Sequence, residues 1–443
     1  MGRETARFVS FDGGFAVDAA YERPDRHGPV DRDRGGTRRI ARGGGYSYAP
    51  ASFGGDALVV DMTGFDRVLG FDPAARQVEV EAGVRLGALL DLTAPRGLWL
   101  PVQPGYPAIT VGGCIAANVH GKNPYREGTF LRSVEAVTLF HPRRGTLRLD
   151  REREPELFEL TCGGYGLTGV ILSATLRLEP LPGPVVSLRR IPVGGLAEAL
   201  AVVRRESEGS AFAYTWHDGS PVAGIFGRGF VFRGDIPVGT PPPAGFAPRY
   251  RLLDATRRAR LPVPLWGGLT TRLLAGGFRL LEGWKPERTT TPLFDAIFPF
   301  ARRGEYFLLF GRRGLAEYQA LVPDDAVEGF LAEVERQALA RRAPVVMMSM
   351  KLFRGTQRFI RFERDGVCVT LDLVRSAAGL DFLPVLDELV AGAGGLPHII
   401  KDSRLPAAVV RRCYPEYGLF RDRLRAHDPA RLFASELSRT LEL

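Results

Sequence analysis

Residues 101–123 read PVQPGYPAITVGGCIAANVHGKN, and the rest of the chain is organised around them. An apolar strand end, Leu98-Trp99-Leu100, runs into Pro101 and Pro104-Gly105. A small-residue run follows, Val111-Gly112-Gly113-Cys114-Ile115-Ala116-Ala117-Asn118, and closes on Val119-His120-Gly121-Lys122-Asn123. Paired glycines and alanines leave little side chain between a backbone and a flat or phosphorylated ligand. Successive backbone N–H groups in such a loop form a concave anion site. A tight turn with a small-residue helix–sheet contact explains the same residues equally well, so the stretch has to be weighed with its neighbours.

Two further glycine turns supply that context. Thr37–Ala41 reads as a strand entering Arg42-Gly43-Gly44-Gly45-Tyr46-Ser47-Tyr48. Cys162-Gly163-Gly164-Tyr165-Gly166-Leu167-Thr168-Gly169-Val170-Ile171 opens a strand that runs to about Leu178. Three such turns, each beside an apolar strand, argue for a mixed α+β domain that binds an extended cofactor. The first turn opens no long helix, and no GxGxxG stands at a first βαβ unit, which points away from a Rossmann site.

Around these turns, Ala57–Met62 and Val78–Ala82 read as strands and Val84–Leu92 as a helix. Val134–Phe140 and Gly145–Leu149 read as a hairpin. Pro180–Pro184 is a linker by composition. Beyond it, Ala197–Arg205 reads as a helix, and Val222–Phe232, Tyr318–Leu321, Val345–Phe353 and Val367–Leu373 as strands. Pro323–Arg336 reads as a helix with Asp324 and Asp325 in its first turn, where acids suit the dipole. Leu380–Leu389 is a further helix, and the chain turns helical after Lys401 and ends in Leu432–Leu443. Residues 249–284 set seven arginines among leucines and tryptophans. Either a plain arginine-rich helix pair or a basic, apolar surface near a membrane or lipid substrate fits that pattern.

Composition bounds the answer. A chain of 443 residues predicts two domains, with three as the alternative. The balance of 45% apolar and 25% charged residues is globular. No apolar run reaches the roughly 20 residues of a membrane span, and MGRETARFVS at the start has no apolar signal region; a cytoplasmic protein, peripheral on the inner membrane face if it docks there, is expected. The four cysteines and six histidines are scattered without ligand spacing, so no metal and no disulfide framework are expected. The formal charge, 59 − 50 = +9, permits anionic ligands. No helix-turn-helix, zinc finger or aromatic-basic motif accompanies it, so nucleic acid is not expected as a partner.

RGGGYSY at 42–48, PVQPG at 101–105, TVGGCIAANVHGKN at 110–123 and GGYGLTGVI at 163–171 resemble the FAD domain of the vanillyl-alcohol-oxidase, or PCMH-type, flavoenzymes. HGKN at 120–123, KLF at 351–353, KDSR at 401–404, YP at 414–415 and DPARLFASELSRTLEL at 428–443 are similar to its decaprenylphosphoryl-ribose oxidase branch. The resemblance covers about 37–180 and 315–443 well and is weak over 185–300.

It implies a two-domain α+β fold: an FAD-binding domain over 1–180, a substrate domain on an antiparallel sheet over 185–400, and a segment over 401–443 returning to the first. The cofactor residues it implies are Arg42, Gly43, Gly44, Gly45, Tyr46, Ser47 and Tyr48 in the first turn. Pro104, Gly105, Val111, Gly112, Gly113, Cys114, Ala117, Asn118, His120, Gly121, Lys122 and Asn123 follow in the central stretch, with Gly166, Gly169, Val170 and His398 beyond it. Many relatives attach the flavin covalently through a histidine in the first turn; Tyr46 stands there, so noncovalent FAD is expected. Lys401 matches the family's active-site lysine, set to hydrogen-bond the flavin N1–C2=O region or the substrate hydroxyl. Gln319, Lys351 and Cys368 match substrate-pocket residues. His120 is open to two roles, assisting proton removal or contacting the flavin. The implied reaction is oxidation of a secondary carbinol of a furanosyl sugar by hydride transfer to flavin N5, on the 2′-hydroxyl of a polyprenyl-phosphoryl ribose. It would form half of an epimerisation to arabinose completed by a short-chain reductase partner. A soluble sugar, alditol or glycosylated natural product is the second substrate reading.

The chain also departs from the family. His398 replaces a common tyrosine, Tyr165 replaces a smaller polar residue, and Ile297-Phe298-Pro299-Phe300 stands where an aromatic-histidine segment is usual.

Overall fold

The computed structural model describes residues 4–25, 30, 36–237, 263–299 and 305–443. The first 180 residues build three sheets. β1 (Glu4–Val9), β2 (Ala16–Glu22), β3 (Arg39–Arg42) and β4 (Leu58–Asp61) form one, in the order β1-β2-β4-β3. β5 (Val68–Asp72), β6 (Gln77–Glu81), β8 (Val134–His141), β9 (Gly145–Asp150) and β10 (Val170–Arg177) form the second, in the order β5-β6-β10-β8-β9. β7 (Leu98–Trp99) pairs with β11 (Glu179–Pro180). β10 carries VILSATLR and is buried at every residue but the last, as a central strand covered on both faces should be.

The second half is one eight-stranded sheet. Its strands are β12 (Val185–Val193), β13 (Phe212–Asp218), β14 (Gly229–Asp235), β15 (Arg288–Pro292), β16 (Leu315–Val322), β17 (Val345–Phe353), β18 (Gly366–Val374) and β19 (Leu396–Pro397). The order is β15-β12-β14-β13-β17-β18-β16-β19, every pair antiparallel. β16 and β18 are buried along their whole length. Their polar residues therefore stand inside the protein, which singles them out for explanation.

The C-terminal residues run back over the first half. Phe433 bridges Arg39, the Leu437 N–H reaches the Pro50 carbonyl, and Ala49 donates to the Ile400 carbonyl. His427 Nε2 lies 2.8 Å from the Thr168 carbonyl oxygen. Tyr414 and Tyr417 are buried, and their hydroxyls donate to the Pro397 and Leu441 carbonyls.

Several local expectations shift. The helix expected from Pro323 begins at Val327 and runs to Arg341; Asp324 and Asp325 occupy the turn ahead of it. Pro323 accepts the Ala326 N–H and closes that turn, so the acids precede the helix. Val222–Phe232 is a strand only from Gly229, because Ile225 donates back to Val222 in a tight turn. Of Leu432–Leu443, only Glu436–Thr440 is helical, started by a reciprocal Ser435–Ser438 cap. The expected helix pair over 249–284 is described only as one helix, Gly268–Trp284. Residues 249–262 lie outside the described residues.

Candidate active site

The central stretch folds as a turn and a helix. Thr110 caps the helix Val111–Ala117, its hydroxyl accepting from the Gly113 N–H at 3.3 Å, and Asn118 ends it in the left-handed region at φ 43°. Two glycines permit the approach of its neighbours. A Cβ on Gly112 would stand 2.9 Å from the Ala82 Cβ, and one on Gly43 would stand 2.2 Å from the Thr110 hydroxyl oxygen. The first glycine turn is thereby pressed against the start of the helix, and the two anion-binding candidates share one place.

Within the first turn the side chains divide. Arg42 stacks on Phe8 and Phe53 at 5.1 and 5.6 Å and donates to Ser52, so it holds the turn's base. Its guanidinium also lies where a Gly45 Cβ would be. Tyr46 lies 5.0 Å from Tyr106, next to Gly44. The Ser47 hydroxyl donates to the Ala49 carbonyl. Tyr48 is buried and its ring lies 4.3 Å beneath the Lys401 ammonium.

Cys114 and Val111 are fully buried, and burial pushes the Cys114 thiol up, so it packs as a small apolar group. Pro104 is buried and Gly105 exposed. Ala117 packs against the main core. Asn123 donates to the Pro101 carbonyl, and Asn118 donates to Glu363 at 3.1 Å. The third turn is placed by packing. Val170 is fully buried, and a Cβ on Gly169 would meet the Phe140 carbonyl at 2.7 Å. Gly166 lies against Ile40.

β16, β17 and β18 bring the remaining candidates together. Lys351 is the register partner of Cys368, Gln319 of Thr370, and Glu317 of Asp372. Lys401 Nζ lies 2.9 Å from Glu317 Oε1, and the Gln319 amide donates to the same oxygen at 2.6 Å. Lys351 Nζ lies 3.2 Å from His120 Nδ1 and donates to the Gly121 carbonyl at 3.4 Å. His120 Nδ1 also lies 3.2 Å from the Gly121 carbonyl oxygen, so whether it donates there or accepts from Lys351 follows the tautomer. His120 stands 5.6 Å from His398, and His398 stacks on Phe362 at 4.1 Å. Lys122 lies 3.8 Å over the Tyr214 ring.

Glu317, Asp372 and Tyr306 escaped the sequence reading. Glu317 and Asp372 face each other directly across β16 and β18, and the Tyr306 hydroxyl donates to Asp372 at 2.5 Å. Burial, then Glu317, pushes the Asp372 carboxyl well up from its usual range. The available signal is the two-residue period: Glu317 and Gln319 share one face, as do Cys368, Thr370 and Asp372.

Burial, then neighbouring cations, holds His120 and His398 well below the usual histidine range, and burial lowers Lys351 against the opposing pull of Cys368. Burial, then Lys351, brings Lys122 down to about 7. Among the described residues, Gln319 Oε1, His398 Nδ1 and Gln103 Oε1 are buried with no hydrogen-bond partner. Crowded bases short of counter-charge, beside unpartnered polar atoms and glycine-lined backbone, fit a planar cofactor with a polar edge and an anionic tail.

A proton-linkage result follows. An anionic ligand raises the pKa of the bases it meets, so binding takes up protons. For Lys122, affinity increases as pH falls from the bound-state value toward about 7 and levels off below it. Titration calorimetry of FAD at pH 8, in buffers of different ionisation enthalpy, should therefore report net proton uptake. Release, or no exchange, would contradict the assignment of Lys122 to the anion.

Comparison with known proteins agrees with the geometry. The chain is 32% identical over 427 residues to decaprenylphosphoryl-beta-D-ribose oxidase of Mycolicibacterium smegmatis, covering 93% of this chain and 90% of that protein. The chain belongs to that family of FAD-linked oxidoreductases. Residues 33–149 match the FAD binding domain family, which spans the first two glycine turns. An uncharacterized protein in the mprA 5′ region of Streptomyces coelicolor is 30% identical over 380 residues, covering 81% of this chain and 100% of that protein. L-galactono-1,4-lactone dehydrogenase of Arabidopsis thaliana is 34% identical over 119 residues, only 27% of this chain and 19% of that protein. The wider group therefore shares a local region, and the oxidase family shares nearly the whole chain. The protein is an FAD-binding oxidoreductase with a mixed α+β, PCMH-type fold.

Proposed function

We propose that the chain oxidises the 2′-hydroxyl of a polyprenyl-phosphoryl ribofuranose to the 2′-keto sugar, with FAD held noncovalently. The observation that carries this reading is the meeting of Lys401, Lys351, His120 and Gln319 at one place beside the first two glycine turns. The substrate class is taken from the related oxidase's name. Tyr46 in the first turn supports noncovalent attachment, since it offers no imidazole for a bond to the flavin.

Bound FAD supplies the acceptor for the hydride of the carbinol C–H bond. Gly43, Gly112 and Gly113 would cradle its pyrophosphate, and Lys122, Gln103 and His398 offer polar partners to the rest. In its neutral form, Lys351 Nζ accepts the hydroxyl proton, and its contact with His120 spreads the charge that appears. Burial favours that neutral form before reaction. Lys401, fixed by Glu317, presents an ammonium to the negative charge that develops as the hydride leaves. Gln319 and Cys368 set the shape and polarity of the sugar pocket. The 2′-keto product calls for a reductase to complete an epimerisation to arabinose. A cytoplasmic location, at the inner membrane face, belongs to the same reading.

Anaerobic addition of polyprenyl-phosphoryl ribose should bleach the oxidised flavin band, and acid precipitation should release all the flavin into the supernatant. No bleaching with this substrate, together with turnover of free glycosides, would move the assignment to soluble sugars. Flavin retained in the pellet would overturn noncovalent attachment.

A further inference from the structure

The helix Gly268–Trp284 faces its polar side inward and its apolar side outward. Thr271, Ala275 and Glu282 are buried. Glu282 accepts from Arg190 at 2.8 Å, in an ion pair that is itself buried, and Arg279 reaches Asp218 at 3.2 Å. Phe278 packs on Trp216 with ring centroids 4.4 Å apart. On the other side, Leu269, Leu273, Leu280 and Trp284 are 66%, 65%, 54% and 74% exposed. At 3.6 residues per turn these four positions fall within about 60° of arc, so they form one stripe. Leu281 and Leu274 widen it. The inward ion pairs fix the helix's rotation, so the stripe cannot turn into the core without stranding buried charge.

We propose that this stripe is a docking surface for an anionic lipid bilayer, with the helix lying flat at the headgroup level. Three observations select this occupant. The surroundings are cationic: Arg272 and Arg288 are exposed beside the stripe, and Lys285, paired with Glu282, is exposed at the helix end. The terminal tryptophan suits the boundary between headgroups and acyl chains. An apolar face rimmed by basic residues is the pattern of helices that rest on anionic membranes. A second copy of the chain fits less well, because an isologous pair would gather both sets of cations into one contact.

The position matters for the site. Trp266, just ahead of the helix, packs on Tyr306 with ring centroids 6.1 Å apart, and the Tyr306 hydroxyl bonds Asp372 in the site. Docking through the stripe would bring the surroundings of the site to the bilayer. The inference stands on exposure and charge, and holds whether or not the substrate carries a lipid.

The test uses the full chain with FAD bound and vesicles of phosphatidylcholine, with or without phosphatidylglycerol. Cosedimentation with the anionic vesicles is expected, weakened by salt, with a blue shift in tryptophan emission that is absent in Trp284→Phe. The Leu273→Glu/Leu280→Glu variant should lose binding by about tenfold or more, since each change takes a charge to an apolar contact. Its circular dichroism, flavin absorbance and turnover of a soluble substrate should stay as in the parent, because neither leucine touches the site. Failure of the parent to bind anionic vesicles, or equal binding by the double variant, would overturn the proposal. A parent that dimerises and ignores vesicles, with a monomeric double variant, would reassign the stripe to self-association.

Discussion

Replacing Lys401 by methionine should slow anaerobic flavin reduction by about 10²- to 10³-fold, the scale expected when one donor to a developing negative charge is removed. The side chain keeps its length and apolar stem and loses only the ammonium. That ammonium has two contacts, Glu317 at 2.9 Å and the Tyr48 ring at 4.3 Å. Its backbone is held separately by the bond from the Lys401 N–H to the His398 carbonyl, so the turn should keep its shape. The loss should fall on kcat, with a smaller change in KM, because the charge it answers exists only as the reaction proceeds.

A second effect comes from Glu317. Without the ammonium, Glu317 and Asp372 face each other across β16 and β18 with no cation between them. Lys401 is one of the groups that draw the Asp372 pKa down, so the variant's Asp372 should sit higher still. An acid whose folded pKa is raised is most stabilising below its unfolded value and loses stability as pH rises toward the folded one. The parent's loss of stability with rising pH levels off near its folded value of about 8, and the variant's should therefore continue to higher pH. Glu317→Gln separates the two effects: it relieves the paired carboxylates, keeps a hydrogen bond to Gln319, and leaves Lys401 unanchored. Reduction rates in both variants within a factor of about three of the parent would remove Lys401 from the chemistry.

Much of this site was legible in sequence because its parts are contiguous. The turn at 42–48 and the run at 110–123 each carry several candidate residues in one short stretch, and Lys401 stands in the short motif at 401–404. Glu317 and Asp372 were not legible for the opposite reason. Each sits inside an otherwise apolar strand, and only the pairing of β16 with β18 sets them face to face. Opposed like charges are unfavourable in a sheet, so local preference argues against the arrangement that the site uses. In the third glycine turn, Gly163 has φ +87° and a Cβ there would meet the Arg361 stem at 2.8 Å, so a packed side chain accounts for that glycine. Close approach of a side chain from 200 residues away leaves the same mark in a sequence as close approach of a ligand. Nothing in the spacing of residues 354–365 marks them as the segment that fills that space.

That segment suggests the largest effect on stability. Arg361 is 4% exposed, and its guanidinium donates to the Cys162 carbonyl at 2.6 Å, to the Glu159 carbonyl, and to the Glu159 carboxylate at 2.8 Å. Its neighbours continue the seam. The Tyr165 hydroxyl donates to the Ile360 carbonyl, Phe362 stacks on His398, and Glu363 accepts from Asn118 at the end of the central helix. Arg361→Ala removes one side chain and leaves a buried carbonyl, a second carbonyl and a carboxylate without their donor. The loss should reach about 3–5 kcal/mol, the scale for breaking a buried pair by deleting one partner. Glu159 is partly open to water, which places the expected value toward the lower end. Because Glu363 and Phe362 follow directly, loosening the segment should also free Asn118 and His398 from their present positions. FAD affinity should fall with stability, and saturating FAD should restore part of the lost melting temperature, since a ligand that binds only the folded form stabilises it. Arg361→Lys should recover the ion pair to Glu159 but not both carbonyl bonds, because an ammonium lacks the planar fork. An intermediate melting temperature for the lysine variant is therefore expected. An alanine variant whose stability and FAD affinity stay within about 0.5 kcal/mol of the parent would show that the seam is held elsewhere.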